Sequence, residues 1–211
     1  MFISHEKKFV FFHLYKTAGT SITHVLNEEL EGLGINTLSH DAHISIAKFK
    51  NMEFDGKSGS EMLRDYFTFA FVRNPWDWRT SIHSFGMATG HPMYDSNPEL
   101  RNFDYYIESI TTQDQQYQFL SDNGDLESPI SLNFVGKFEY LLTDFQKICD
   151  IIKISGSLQH TNITGHHYYT DCYNDRTKEL LRKAHTTDID YFGYNFHNEN
   201  IVSGEKVYKK S

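Results

Sequence analysis

KFVFFHLYKTAGTS, residues 8–21, is the stretch from which the fold can be read. Its first half is a short apolar run rich in Phe, with the length and composition of a buried strand. Its second half, Tyr15 to Ser21, is a loop of small residues. Beyond it, Ile22, Val25, Leu26, Leu30 and Leu33 recur at helical spacing, and Gly34 supplies the stop. The segment therefore reads strand, glycine-containing loop, helix.

The same grammar returns at residues 67–87. FTFAFV (67–72) is a strand, Arg73-Asn74-Pro75 a turn, and 76–87 a helix with Pro near its first turn. Between the two units, 35–38 reads as a short strand, and 42–51 and 60–66 as short helices around a turn at 55–59. Further on, 88–102 has little periodicity and reads as a mobile surface loop. Residues 102–110 read as helix, 118–134 as a strand pair around Asp122-Asn123-Gly124-Asp125, 138–152 as an amphipathic helix and 174–184 as a final helix. Residues 160–172 read as loop and 199–211 as a frayed tail. Strands alternating with helices predict an α/β protein, a single domain over 1–198 with a mainly parallel central sheet flanked by helices.

Composition bounds the function. The chain has 211 residues, 39% hydrophobic and 15% aromatic, which suffices for one sizeable core. A formal net charge of −8 argues against a general nucleic-acid binder. No apolar run approaches the ~20 residues of a membrane span. The first residues lack the apolar stretch of a signal peptide, so the expected setting is cytoplasmic. Cys149 and Cys172 sit in no CxxC pair and read as thiols.

The chemistry concentrates at the two strand-to-helix junctions. In His13–Ser21, Gly19 and its small neighbours let backbone N–H groups close around an oxyanion, at the positive end of the following helix. Lys16 adds a full charge, and Thr17, Thr20 and Ser21 add hydroxyls. The plain alternative is a tight turn with a helix cap and a surface Lys. A Walker A loop places Lys after its last Gly, whereas here Lys16 precedes Gly19, which counts against a nucleoside-triphosphate kinase. In the second junction Arg73 lies at the carboxyl end of a strand, where open α/β sheets bind ligands. Ser81 follows about two helical turns later. A guanidinium fork suits a phosphate dianion, although Arg73 could instead pair with an Asp.

Together these motifs resemble sulfotransferases that use 3′-phosphoadenosine 5′-phosphosulfate (PAPS), in the branch of the carbohydrate 2-O-sulfotransferase-like enzymes and their bacterial relatives. HLYKTAGTS (13–21) is similar to the family's 5′-phosphosulfate loop, and FAFVRNPWDWRTS (69–81) to its 3′-phosphate segment. FVGKFEYL (134–141), His160-Thr161-Asn162 with Tyr168-Tyr169-Thr170, and DIDYFGYNF (188–196) extend the likeness. The resemblance implies a P-loop-like fold and PAPS as the sulfuryl donor, with 3′,5′-ADP as its product. Lys16, Thr17, Ala18, Gly19, Thr20 and Ser21 would hold the 5′-phosphosulfate, and Arg73 and Ser81 the 3′-phosphate. Gly136 and Lys137 would line the adenine or 3′-phosphate end, and Asn162 and Tyr169 would close the pocket. Tyr15 stands where the family has Pro, and Trp78 where it has a second Arg, with Arg79 one position later.

Sulfuryl transfer to a hydroxyl acceptor benefits from a general base. The resemblance points to His40, and His43 is its rival three residues on. No Mg²⁺ carboxylate motif accompanies the loops, and His160, His166 and His167 lack ligand partners at metal spacing, so no metal is expected. Phe85, Tyr94, Tyr105 and Tyr106 are candidates to line an acceptor cleft. Two other readings stand beside the enzyme: a catalytically silent nucleotide-binding module on the same fold, and a phosphate-transferring P-loop protein.

Overall fold

In a computed structural model, the described residues are 1–39, 43–110, 114–158 and 168–204. In chain order, β1 (Phe2–Ser4) and β2 (Phe9–Phe12) precede α1 (Gly19–Gly32) and β3 (Leu38–Ser39). Next come α2 (Ile46–Lys50), a hairpin of β4 (Glu53–Phe54) and β5 (Lys57–Ser58), α3 (Gly59–Asp65) and β6 (Phe67–Val72). Then follow α4 (Pro75–Thr89), α5 (Met93–Ser96), a 3-10 turn at Pro98–Arg101, α6 (Phe103–Ser109) and α7 (Gln116–Leu120). The last elements are β7 (Phe134–Lys137), α8 (Leu141–Ile152), α9 (Asp175–Ala184) and α10 (Thr186–Phe192). The chain divides into two compact units. One takes the described parts of 1–72, 116–161 and 202–211, the other those of 73–115 and 162–201.

The first unit is built on a sheet of order β3-β1-β2-β6-β7. β2, β6 and β7 run parallel, and β1 is antiparallel to both β2 and β3. The parallel centre agrees with the sequence reading; the antiparallel edge was not foreseen. Register explains the Phe content. Phe2 pairs with Phe11, Phe11 with Phe69, and Phe69 with Phe134, so these rings share one face. On that face they form a core with Ile22, Leu26 and Leu30 of α1 and Phe145, Ile148 and Ile152 of α8. The alternate strand residue Phe12 points the other way and meets Phe49 of α2 edge-on, with ring centroids 5.0 Å apart.

Helix ends follow their chemistry. α1 stops at Gly34, whose φ is +71°, with Gly34 N–H donating to the Glu31 carbonyl and Ile35 N–H to that of Leu30. That pairing satisfies two terminal carbonyls at once. Ser58 and Glu61 close a capping box on α3. Residues 118–134 correct the expected strand pair. They begin inside α7, and Asp122–Asp125 belong to a loop in which the Asp125 carboxylate accepts from Glu127 N–H and Ser128 N–H.

In the second unit, Asn74 caps α4 by accepting from Trp76 N–H, and Pro75 takes the first helical position. Its core is aromatic: Trp76, Tyr94, Tyr106, Phe103, Tyr169, Tyr173 and Phe196 gather with Leu100, Ile107 and Leu181. The span 88–102, expected as a mobile loop, instead contains α5 and the 3-10 turn, anchored by buried Tyr94 and Leu100. α10 follows α9 directly and was not foreseen.

Candidate functional site

In the first unit, the candidate segment is the loop between β2 and α1. Lys16 and Ala18 both have left-handed backbone, at φ 56° and 65°. A side-chain-bearing residue there is costly, on the order of 1–3 kcal/mol, unless the surroundings over-determine it. Three contacts do so. The Thr17 hydroxyl is buried and donates to the Leu14 carbonyl at 3.1 Å. The Ala18 carbonyl accepts from Ile22 N–H at 3.1 Å. Gly19 lies against the His13 ring, where a Cβ would stand 1.7 Å from the ring. Glycine is therefore required at 19 by packing within the protein.

The consequence is at the helix terminus. Ala18 occupies the N-cap and offers no side-chain acceptor, so the first-turn N–H groups of Gly19, Thr20 and Ser21 have no capping side chain. Thr20 is exposed and Ser21 half-buried. This is the arrangement of donors and dipole that receives an anion. Lys16, half-buried in the same loop, brings the charge. Thr17 contributes loop shape, because its hydroxyl is engaged by Leu14.

Two histidines back the loop. The His43 ring stacks on Tyr15 with centroids 3.3 Å apart, and meets the His13 ring edge-on at 4.8 Å. Its Nδ1 lies 3.0 Å from the His13 carbonyl oxygen. Burial, then the charge of His43, then that of the amino terminus hold the His13 imidazole down to about 3. The His43 imidazole is also lowered, by burial first, against an opposing contribution from its bond to the His13 carbonyl. Both rings are thus neutral near pH 7. His40 lies outside the described residues.

At the far end of β7, Gly136 pairs with Phe71, and a Cβ there would come within 2.5 Å of the Phe71 ring. Lys137 is buried, and its N–H donates to the buried Asp144 carboxylate at 2.9 Å. The same Oδ2 accepts Gly204 N–H at 2.9 Å, and Lys147 reaches the Ser203 hydroxyl at 3.1 Å. Asp144 thereby ties the chain at 203–204 to the end of β7, a link the sequence did not announce. Because β2, β6 and β7 are parallel neighbours, the loop after β2 and residues 136–137 leave the sheet at the same edge. In such sheets that edge is where ligands bind.

In the second unit, a separate candidate segment opens α4. Arg73 donates from Nε to Asp77 Oδ2 at 2.7 Å, with side chains 11% and 22% exposed. This is the carboxylate pairing weighed for Arg73 from the sequence. Ser81 is half-buried one further turn along. Arg79 is engaged elsewhere. Its Nε donates to His185 Nε2 at 3.0 Å, one terminal nitrogen donates to the Asp114 carbonyl at 2.8 Å, and its guanidinium lies 4.7 Å from the Trp78 ring centroid. His185 Nδ1 is 3.0 Å from Asp188 Oδ2, and both side chains are fully buried. Since Nε2 accepts from Arg79, Nδ1 must carry the proton, and the imidazole is neutral. Burial lowers it, ahead of the opposing bond to Asp188.

The Tyr169 hydroxyl donates to the Phe196 carbonyl at 2.5 Å. Asn162 lies outside the described residues, as do His160, His166 and His167. Of the aromatics considered for an acceptor cleft, Tyr94 and Tyr106 are core; the Tyr94 ring lies over Gly86, 2.5 Å from where a Cβ would be. Phe85 and Tyr105 are exposed. Among the described residues no group of three or more His, Cys, Asp or Glu could hold a metal ion, and no helix is long and apolar enough to cross a membrane.

The fold and the β2–α1 loop define an α/β protein with a strand-loop-helix junction whose helix N-terminus has no capping side chain. Residues 1–78 match the model of the sulfotransferase family, and that match supports placing the chain in this family. It covers the loop of 13–21 and the turn carrying Arg73; Ser81, Gly136, Lys137 and Tyr169 lie beyond it. No curated protein and no solved structure gave a significant match.

Proposed function

We propose that the chain transfers a sulfuryl group from PAPS to an acceptor hydroxyl. One observation carries this reading: a loop held in left-handed backbone presents an uncapped helix N-terminus beside Lys16, within residues that match the sulfotransferase family. When bound, PAPS supplies an activated sulfuryl group whose leaving phosphate gathers negative charge. Lys16 and the N–H groups of Gly19, Thr20 and Ser21 would stabilise that charge, being fixed before it develops. Thr17 and Ala18 would shape the loop. Arg73 and Ser81 would take the 3′-phosphate, Asp77 holding the guanidinium until then. Lys137 would add charge at the nucleotide's other end, with Gly136 beneath it as sheet packing. Asn162 and Tyr169 would complete the pocket, and His40 or His43 would accept the proton of the attacking hydroxyl.

Calorimetric titration with 3′,5′-ADP tests this, with 5′-AMP and ATP–Mg²⁺ as controls. Selective, metal-independent binding of 3′,5′-ADP is expected. Arg73→Ala should weaken it about 10- to 100-fold, the range of a lost hydrogen bond to a charged group, while 5′-AMP binding stays the same. Lys16→Ala should weaken both ligands. Preference for ATP–Mg²⁺, or unchanged 3′,5′-ADP affinity in both variants, would overturn the assignment.

A further inference from the structure

We propose that His43 takes the proton from the attacking hydroxyl, and that Tyr15 positions its ring. The inference rests on the sulfuryl-transfer reading and chooses between the two histidines it leaves open. The first argument is the tautomer. A carbonyl oxygen only accepts, so the 3.0 Å contact with the His13 carbonyl puts the proton on Nδ1 and the lone pair on Nε2 of His43. The second is orientation. The imidazole is stacked on Tyr15 at 3.3 Å and an interplanar angle of 23°, and the His13 ring lies edge-on at 4.8 Å and 64°. Both neighbours belong to the stretch that forms the anion loop, so Nε2 is fixed to the element that would hold the sulfuryl donor.

The third is protonation state. Among the described residues, the titratable groups around the ring are His13, Tyr15 and the amino terminus. Burial and the amino terminus favour the neutral imidazole, which at pH 7 has an electron pair to offer. His43 itself has φ 81°, a backbone conformation that a β-carbon resists and that the surrounding contacts must enforce. In the step, the acceptor oxygen forms a bond to sulfur, and the bond from sulfur to the 5′-phosphate oxygen breaks with its electron pair passing to that oxygen. The acceptor's proton passes to Nε2 of His43 and later to solvent.

The test uses the full chain with PAPS, water standing in as acceptor and sulfate release as the readout. kcat/KM is followed from pH 5 to 8, alongside 3′,5′-ADP affinity. The wild type should lose activity as pH falls, with a midpoint below the ordinary histidine value near 6.5. His43→Ala should lower kcat about 10²- to 10⁴-fold and abolish that acid limb, while 3′,5′-ADP affinity is kept. Tyr15→Phe should keep rate and limb. Tyr15→Ala should lower kcat without changing KM and move the limb upward, because the imidazole regains water. An acid limb that persists in His43→Ala, or one that disappears only in His40→Ala, overturns the inference while leaving the donor reading intact. A wild type that neither binds 3′,5′-ADP nor releases sulfate removes both. ¹⁵N NMR of the imidazoles gives a readout apart from activity. A protonated Nδ1 and bare Nε2 on His43 are expected, and a proton on Nε2 overturns the assignment.

Discussion

The β2–α1 loop and the Arg79 network use their hydrogen-bonding groups in opposite ways. In the loop, left-handed backbone at Lys16 and Ala18 and the close fit of Gly19 on His13 leave a helix terminus with no capping side chain. Around Arg79, a guanidinium, an imidazole and a carboxylate are buried together and spend their donors on each other and on the Asp114 carbonyl. Local backbone cost leaves the helix terminus without a capping side chain in the first case, and long-range pairing occupies the donors in the second. An arginine near an anion motif is therefore not thereby an anion ligand.

The largest effect that would break this contrast is in the network. Asp188→Ala leaves the buried His185 Nδ1–H without its carboxylate acceptor and should destabilise by about 3 kcal/mol, read from urea unfolding. A cost under about 1 kcal/mol would mean that the network is not a support. Next, Gly19→Ala should cost about 1–3 kcal/mol by overpacking against the His13 ring. His13→Ala in the same chain should recover part of that loss; strict additivity of the two changes would show that the ring is not what excludes the methyl group.

A pH series sharpens the comparison, because both regions hold neutral histidines. His13, His43 and His185 all have folded values below the unfolded one near 6.5. The unfolded chain then binds more protons below pH 6.5, so stability is complete above that value and declines as pH falls. The urea midpoint should drop between pH 6.5 and 5, above the range of ordinary carboxylates. A flat profile there would contradict the burial of these rings. The His13 ring resonances should stay untitrated until pH approaches about 3. The smallest effect serves as control. The exposed Arg182–Glu179 pair has the same 2.7 Å contact as Arg73–Asp77, yet Glu179→Gln should leave the urea midpoint unchanged.

What the sequence made legible follows the same division. Residues 8–34 could be read because strand, loop, helix and stop are all local: Phe alternation, small residues, a four-residue apolar spacing and Gly34. β1 escaped because Phe2–Ser4 is too short to show a period, and is a strand only through its pairing with β2 and β3. Residues 118–134 misled because Asp122-Asn123-Gly124-Asp125 carries hairpin-type turn residues, whereas a loop tied by the Asp125 carboxylate uses the same ones. Arg79 and His185 stand 106 residues apart, so no spacing rule could join them. His43 was visible as a candidate, but its tautomer depends on a carbonyl thirty residues earlier.

The Asp144 clamp has a consequence for how the polypeptide emerges from the ribosome. Residues 202–204 belong to the first unit, yet they are translated after both segments of the second. The Asp144 carboxylate, buried beside Lys137, therefore waits for Gly204 N–H until some sixty more residues have been made. On a ribosome stalled short of that point, the Asp144 carboxylate at the end of β7 would lack the Gly204 N–H, and the nascent sheet would stay open to chaperones or to protease at β7 and α8.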